Sequence, residues 1–436
     1  MEWWVTLFII IGMLVVFFLS GLPVAFAFLL LNIAGTLIWM GGIDKLYLVA
    51  ATVESNIGSF SLAAVPLFIF MGELMFESGI AERMVNAVGK WIGRLPGSLS
   101  LVAVAAGVLF AMMSGSGMSG VAVLGSTLVP EMRARGYSYE MSLGPIMGAG
   151  GLAIIIPPSM LIVVLGSLAQ ISVGKLLIAG IIPGLLLASL YAAYILLRAG
   201  FQPRLAPPFA PANVTWGDRI RSLLQILPLS LIVFLVLGLI FLGVATPSEA
   251  AASGVLGAFI LAIIYRGLTW KVMKGSIIET LKVTSMVMMI IMGSSLFSSL
   301  LAYTGASHEL VKLATSLPVH PLVVVVAMQL VLIFLGMLMD GISMLMITVP
   351  IYFPIIMALG FDPIWFGIMM MVNIEMGGIS PPFGLYLFVV KGLTPDISMT
   401  KIILAGMPFF AMGVLAIVIM LFAPPVVTWL PNIMGR

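Results

Sequence analysis

The chain contains no cysteine, so neither a disulfide framework nor a thiolate metal site is available to it. It has two histidines, His308 and His320, too few for a histidine-built metal centre. Charge is scarce as well. Only 8% of the 436 residues are Asp, Glu, Lys or Arg, against about 25% in ordinary soluble domains. So few charges cannot cover a water-facing surface, and most of the chain must face lipid or other buried helices. The net charge of +3 gives no reason to invoke nucleic acid. No G-x-x-x-x-G-K-[ST] phosphate loop and no H-E-x-x-H zinc motif occurs, which removes ATP hydrolysis and zinc proteolysis. The opening Met1-Glu2-Trp3-Trp4 lacks a basic n-region and reads as the start of a retained span, not a signal peptide.

What is plentiful is hydrocarbon, at 62% of residues. A membrane span needs about 20 mostly apolar residues. That rule predicts spans near 4–20, 24–41, 56–77, 141–170 and 175–198, then near 223–243, 247–265, 283–303, 363–391 and 400–423. Two further apolar segments, 98–133 and 320–357, have polar centres: Ser114-Gly115-Ser116-Gly117 in the first and Asp340-Gly341-Ile342-Ser343 in the second. Each is predicted to be a re-entrant hairpin whose tip stops inside the membrane, where non-helical backbone is tolerated only against protein or water.

The two sets of spans echo each other. Ile171-Ser172-Val173-Gly174-Lys175 through Gly180 returns as Ile397-Ser398-Met399-Thr400-Lys401 through Gly406, at an offset of 397 − 171 = 226. Pro157-Pro158 answers Pro381-Pro382, Val129-Pro130 answers Val349-Pro350, and Pro23 answers Pro247. Five spans per copy is an odd number, so the second copy is inverted in the membrane. Internal duplication of this kind marks secondary transporters, whose sites form where the halves meet. With the N-terminus outside, 15 of the 19 Lys and Arg residues fall on the inner side, in keeping with the positive-inside bias.

The chain thus divides into a first inverted repeat (1–200), a proline-rich cytoplasmic linker (201–222, with Pro203, Pro207, Pro208 and Pro211) and a second repeat (223–436). Ile80–Arg94 and Ala306–Ser316 are amphipathic and are predicted to lie along opposite membrane surfaces as arms beside the hairpins.

Gly115-Ser116-Gly117-Met118-Ser119-Gly120 satisfies the dinucleotide pattern, but no strand precedes it and its flanks are apolar, so that reading lacks its structural context. Glycines packing helices closely would be the plain alternative. Packing does not account for one hydroxyl-rich tip (Ser114, Gly115, Ser116, Gly117, Ser119) matched by another (Asp340, Gly341, Ser343) in the other half.

Gly150-Gly151 with Pro157-Pro158, and Gly377-Gly378 with Ser380-Pro381-Pro382, break a helix inside each repeat. A broken helix exposes carbonyl ends that suit a cation and amide ends that suit an anion. Sodium is a hard cation that wants oxygen, which these four motifs offer. Proline kinks that merely shape packing are the competing reading. Asp340, ionisable and at a tip, is a candidate for contact with ion or substrate, or for a structural hydrogen bond. Glu375 is read as a tether for the break, and Glu73 and Glu249 as hydrogen-bonding partners between helices.

These residues resemble the large membrane subunit of tripartite ATP-independent periplasmic (TRAP) transporters, over essentially the whole chain. The resemblance is carried by Ser114-Gly115-Ser116 through Gly125-Ser126 with Val129-Pro130-Glu131-Met132, by Ile156-Pro157-Pro158-Ser159, by Thr246-Pro247-Ser248-Glu249, and by Asp340-Gly341 with Pro381-Pro382-Phe383-Gly384. The family usually has a second serine where Gly117 stands and often a glycine where Ala153 stands.

The resemblance implies an all-α polytopic fold with an elevator-type division. A mobile transport domain (about 98–198 and 320–424) is held by a scaffold (about 1–94 and 223–316). It implies sodium-coupled uptake of a small organic acid across the bacterial inner membrane, with Na+ as coupling ion and no other cofactor. It implies two protein partners, a small four-helix membrane subunit and a periplasmic substrate-binding protein. A stand-alone ion-coupled carboxylate or anion transporter of related fold is the alternative reading.

Overall fold

The computed structural model describes residues 2–58, 60–92, 95–207 and 215–434. It is all-helical, with no strand among the described residues. The first repeat contains α1 (Trp3–Leu19), α2 (Val24–Trp39), α3 (Tyr47–Ile57), α4 (Ala64–Glu77), α5 (Ile80–Ile92), α6 (Ser98–Ser114) and α7 (Gly117–Ala134). It continues with α8 (Tyr139–Gly151), α9 (Met160–Leu168), α10 (Val173–Ala179) and α11 (Ile181–Phe201). The second repeat contains α12 (Trp216–Phe241), α13 (Pro247–Ile264), α14 (Trp270–Tyr303), α15 (Ala306–Ser316) and α16 (Pro321–Gly336). After these come α17 (Gly341–Ala358), α18 (Pro363–Ile379), α19 (Leu385–Leu393), α20 (Met399–Phe422) and α21 (Pro425–Asn432).

The duplication read from the sequence is a duplication of helices. The hairpin α6–α7 corresponds to α16–α17 and the broken helix α8–α9 to α18–α19, with α8 and α18 starting 363 − 139 = 224 residues apart. Packing is reciprocal. α4 lies against α13 while α14 lies against α2; α5 lies against α12 while α15 lies against α1. Deeper in, α7 seats α19 while α17 seats α9. Contacts that exchange partners in this way are the mark of a two-fold relation. With an odd number of spans in each copy, that relation inverts the second repeat in the membrane.

Among the described residues, five helical stretches are long and apolar enough to cross a membrane by length and composition: Val173–Phe201 (α10 with α11), Pro247–Ile264, Trp270–Tyr303, Gly341–Ala358 and Met399–Phe422. Shorter apolar helices such as Trp3–Leu19 and Val24–Trp39 complete the layers, a 17-residue helix being about 26 Å long. Helix starts follow local chemistry. Thr246 accepts from the Glu249 amide while the Glu249 carboxylate accepts from the Thr246 amide, a capping box with Pro247 in the first turn. Thr215 and Asp218 form the same box at the start of α12. Burial inside the bundle is by interlocking apolar rings, as where Phe28 of α2 meets Phe297 of α14 edge-to-face at 5.3 Å.

Three boundaries differ from the sequence reading. The span expected at 56–77 is α3, a single turn (Phe60–Ala63) and α4, whereas its counterpart α14 runs unbroken for 34 residues. Asn56, Gly58 and Pro66 fall in the interrupted copy, and α14 has no proline. The linker ends at Thr215, where the capping box starts α12, and not at 222; its residues 208–214 lie outside the described residues. Helix α21, packed against α10, α11 and α18, is an element that the apolar periodicity did not announce.

Candidate functional site

Each hairpin turns where its residues stop helix propagation. Helix α6 ends at Ser114, and Gly115 takes the left-handed φ of +57°. A Cβ on Gly115 would lie 3.3 Å from both the Pro158 carbonyl oxygen and the Met160 amide, so glycine lets this tip press against the break of its own repeat. Ser116 then caps α7, its hydroxyl oxygen accepting from the Ser119 amide at 3.4 Å and the Ser119 hydroxyl at 3.1 Å. In the second hairpin Asp340 is the cap. Its Oδ2 accepts from the Ile342 and Ser343 amides at 3.0 and 3.2 Å, and its Oδ1 accepts from the Ser343 hydroxyl. The Ser114 side chain lies outside the described residues.

The breaks are tied back in similar ways. After α8 a single turn (Leu152–Ile154) leads into Pro157-Pro158, and the Ser159 hydroxyl donates to the Ile154 carbonyl at 2.7 Å while capping α9. After α18 the Ser380 hydroxyl donates to the Gly377 carbonyl at 3.1 Å, and the Phe383 amide donates to the Met337 carbonyl at 3.3 Å, fastening this break to the second hairpin. Both Pro-Pro bonds, Pro157-Pro158 and Pro381-Pro382, are cis.

Hairpins and breaks meet at one cavity of about 120 Å³. Gly115, Ser116, Gly117 and Met118 line it from the first tip, and Asp340, Gly341 and Ile342 from the second. Ile154, Met160 and Leu161 come from the first break, with Gly377, Gly378, Phe383 and Tyr386 from the second. The structure therefore brings both tips and both breaks to a single place. Its oxygen donors suit a hard cation, and no group of three His, Asp or Glu residues that would hold a transition metal occurs among the described residues.

Not every candidate residue faces the cavity. Ser119 and Ser343 sit in the first turns behind the tips, bonded to Ser116 and Asp340 respectively. Gly150 packs against α7, a Cβ on Gly120 coming within 3.0 Å of the Gly150 Cα. Gly377 makes the matching approach in the second repeat, to Gly336 of α16. Pro157, Pro158, Ser380, Pro381 and Pro382 shape the breaks without appearing in the cavity wall, although the Pro158 carbonyl is the neighbour of Gly115 noted above.

Sequence reasoning missed Tyr386. It is 3% exposed, and its ring lies between Gly117 of the first hairpin and Gly378 of the second break. The signal was available as two glycines whose missing side chains leave room for a large one. Glu375 does tether a break, but that of the other repeat: Tyr191 Oη donates to its Oε1 at 3.0 Å, and Gly151 lies against the same oxygen. Glu249 is exposed and caps its own helix, so it is not an interhelical partner; the capping box satisfies its carboxylate locally. Glu73 is half-buried on α4, facing Glu279 and Glu77.

At the far end of the first hairpin, Arg133 donates to Asp396 of the second repeat through both terminal nitrogens, at 3.2 and 2.6 Å. The guanidinium holds the Asp396 carboxyl below its ordinary range.

The family described as "Tripartite ATP-independent periplasmic transporter, DctM component" matches residues 11–426. Similar proteins include the C4-dicarboxylate TRAP transporter large permease protein DctM of Pseudomonas aeruginosa, 34% identical over 86% of this chain and 87% of that one. The protein of the same name from Vibrio cholerae is 32% identical over 98% of this chain and 96% of its own length. Among solved structures, the Alcanivorax borkumensis YdaH transporter superposes with a TM-score of 0.63 over 89% of this chain and 91% of that one; at 16% identity the likeness is one of fold. By sequence along nearly its whole length, the chain belongs to the DctM family of tripartite ATP-independent periplasmic transporters, as a large membrane permease subunit and not an enzyme.

Proposed function

We propose that the protein drives sodium-coupled uptake of a small organic acid across the bacterial inner membrane. The observation that carries this reading is the single cavity in which two hairpin tips and two helix breaks converge. Such a meeting point offers carbonyl ends and hydroxyls to a cation and amide ends to an anion, side by side. Asp340 and Ser116 supply side-chain oxygens at the cavity, held from behind by Ser343 and Ser119, with Gly115, Gly117, Gly341, Gly377 and Gly378 providing close backbone. Relatives named for C4-dicarboxylates support an acid as cargo.

The seating of α7 against α19 and of α17 against α9 supports a division of labour. Residues of about 98–198 and 320–424 form the hairpins and breaks and act as the transport domain. Residues of about 1–94 and 223–316 act as scaffold, with the N-terminus on the periplasmic side. The transport domain moves as a body, elevator-fashion, carrying the cavity from one face to the other. A periplasmic binding protein delivers the acid, and a small four-helix membrane subunit widens the scaffold.

The test is uptake in proteoliposomes holding this chain with a cognate small subunit, supplied with a cognate binding protein and labelled acids. Accumulation should require an inward sodium gradient and the loaded binding protein. Accumulation of equal size with potassium replacing sodium would sink the coupling. Undiminished uptake without the binding protein would favour a stand-alone carrier.

A further inference from the structure

The two hairpin tips have the same architecture and opposite electrostatics. Each begins a helix whose first amides have no acceptor within that helix, and the aligned peptide dipoles make such an end equivalent to about half a positive charge. At α17 the anion is built in. Asp340 sits at the cap with one carboxylate oxygen on the Ile342 and Ser343 amides. At α7 the cap is Ser116, a neutral hydroxyl that accepts from the Ser119 amide and hydroxyl. The amides of Gly117 and Met118 have no acceptor among the described residues. One tip contains its own carboxylate; the other presents the same donors and contains none.

Tyr386 is an independent pointer to the same spot. It stands in the first turn of α19, in the opposite repeat, with 97% of its surface covered (3% exposed). A Cβ added to Gly378 would fall on its ring, and a Cβ added to Gly117 would fall on its hydroxyl oxygen. The phenol thus crosses from the second repeat to the first and ends where a side chain at position 117 would begin. Its Oη has no hydrogen-bond partner among the described residues, and the residue lines the shared cavity. The hydroxyl opens onto that cavity beside Gly117, at the start of α7, where a bound group can accept from it.

We propose that the N-terminus of α7 and the Tyr386 hydroxyl together form the pocket for one carboxylate of the cargo, with the Gly117 and Met118 amides and the Tyr386 O–H donating to its oxygens. The pocket rests on the organic-acid reading given above and assigns it an orientation. The carboxylate end of the cargo goes to the first hairpin, because Asp340 repels a second anion from the equivalent place at the other. The cation belongs on the Asp340 side. A Cβ at position 117 would meet the Tyr386 hydroxyl, so the glycine of this chain leaves both the hydroxyl and the amides open.

The test uses the purified complex of this chain with its small subunit. The probe is whichever labelled acid a cognate binding protein retains from a set of C4-dicarboxylates, keto acids and sugar acids. Tyr386→Phe should weaken equilibrium binding of that acid roughly ten- to a hundredfold, the range for losing a hydrogen bond to a charged group. It should leave the sodium concentration for half-maximal uptake within twofold of wild type. The thermal midpoint without acid should also stay put, while the stabilisation that the acid confers is lost. Wild-type acid binding in Tyr386→Phe overturns the pocket. A shifted sodium requirement with unchanged acid affinity overturns it too, by making the hydroxyl an ion ligand. If the wild-type complex neither binds nor transports any acid in the set, the organic-acid reading fails first, and the carboxylate pocket falls with it.

Discussion

Tyr191 and Glu375 lie 184 residues apart in sequence and share a hydrogen bond of 3.0 Å, donated by the phenol of α11 to the carboxyl of α18. Glu375 is fully buried, and its second oxygen, Oε2, has no hydrogen-bond partner among the described residues. The bond joins the two repeats beside Gly151, where the first repeat's helix breaks.

Removing either partner should loosen that junction. Tyr191→Phe removes the phenol that donates to the buried carboxyl and is expected to cost about 1–3 kcal/mol. The fall in thermal midpoint of the detergent-purified protein measures it. Gly151→Ala should cost at least as much, because its Cβ would stand 2.5 Å from Glu375 Oε1. A Tyr191→Phe protein as heat-stable as wild type would show that the bond contributes nothing.

Asp340→Asn keeps an acceptor at the start of α17 and removes the charge. Its expected effect is a rise of at least tenfold in the sodium needed for half-maximal uptake, with membrane abundance within twofold of wild type. Asp340→Ala should add the loss of the cap, about 1 kcal/mol of stability. Sodium titrations of initial uptake rate by the two variants decide whether the carboxylate serves the ion or only the helix.

The close approach of Gly336 and Gly377 fastens the second hairpin to its broken helix, a Cβ on Gly377 coming within 3.0 Å of the Gly336 Cα. Gly336→Ala and Gly377→Ala should each destabilise by about 1–3 kcal/mol. The double variant should cost less than the sum, because the first alanine already opens the interface that the second would fill. Thermal midpoints of the four proteins form the cycle. Strict additivity would mean the two backbones do not share one contact.

Acid should weaken the pair of Arg133 and Asp396 at the far end of the first hairpin. The Asp396 carboxyl is held below its ordinary value by the guanidinium, so its contribution is present above the unfolded value near 4 and disappears as pH falls through the lower folded value. Asp396→Asn should therefore be slightly less stable than wild type at pH 6–8, and the gap should shrink steadily as pH falls below about 4. High salt should narrow the gap at neutral pH, since both partners are exposed. A gap that widens on acidification would reverse the assignment.

A cysteine-free chain makes the inverted arrangement simple to check by labelling single introduced cysteines. With the N-terminus outside, Asp44→Cys and Lys312→Cys should react with a membrane-impermeant maleimide in intact spheroplasts, and Arg204→Cys only after permeabilisation. Labelling of Arg204→Cys from outside would reject the orientation.

Much of the fold was legible because the membrane restricts the grammar. Apolar runs had to be helices, and Pro157-Pro158 and Pro381-Pro382 had to break them. The arms Ile80–Ile92 and Ala306–Ser316 were readable from polar residues recurring among apolar ones. The divided third span was not, because apolar runs read through Asn56, Gly58 and Pro66 without registering where a helix stops. Of the site, the tips could be read since hydroxyls and Asp340 stand out against hydrocarbon. Tyr386 could not, because its role depends on a neighbour 386 − 117 = 269 positions away. Glu375 was placed in the correct element but the wrong repeat, since sequence proximity favoured the Gly377 break while its side chain points at Gly151.

The exchange of seats between α7 and α19, and between α17 and α9, bears on how the protein is made. Synthesis finishes α7 at Ala134 and does not reach Leu385 of α19 until 385 − 134 = 251 residues later. At roughly 5–20 residues per second, that interval is on the order of ten to fifty seconds. Throughout it the newborn hairpin stands in the bilayer with its complementary surface still untranslated, and the insertion machinery or a companion subunit must keep wrong helices from docking there.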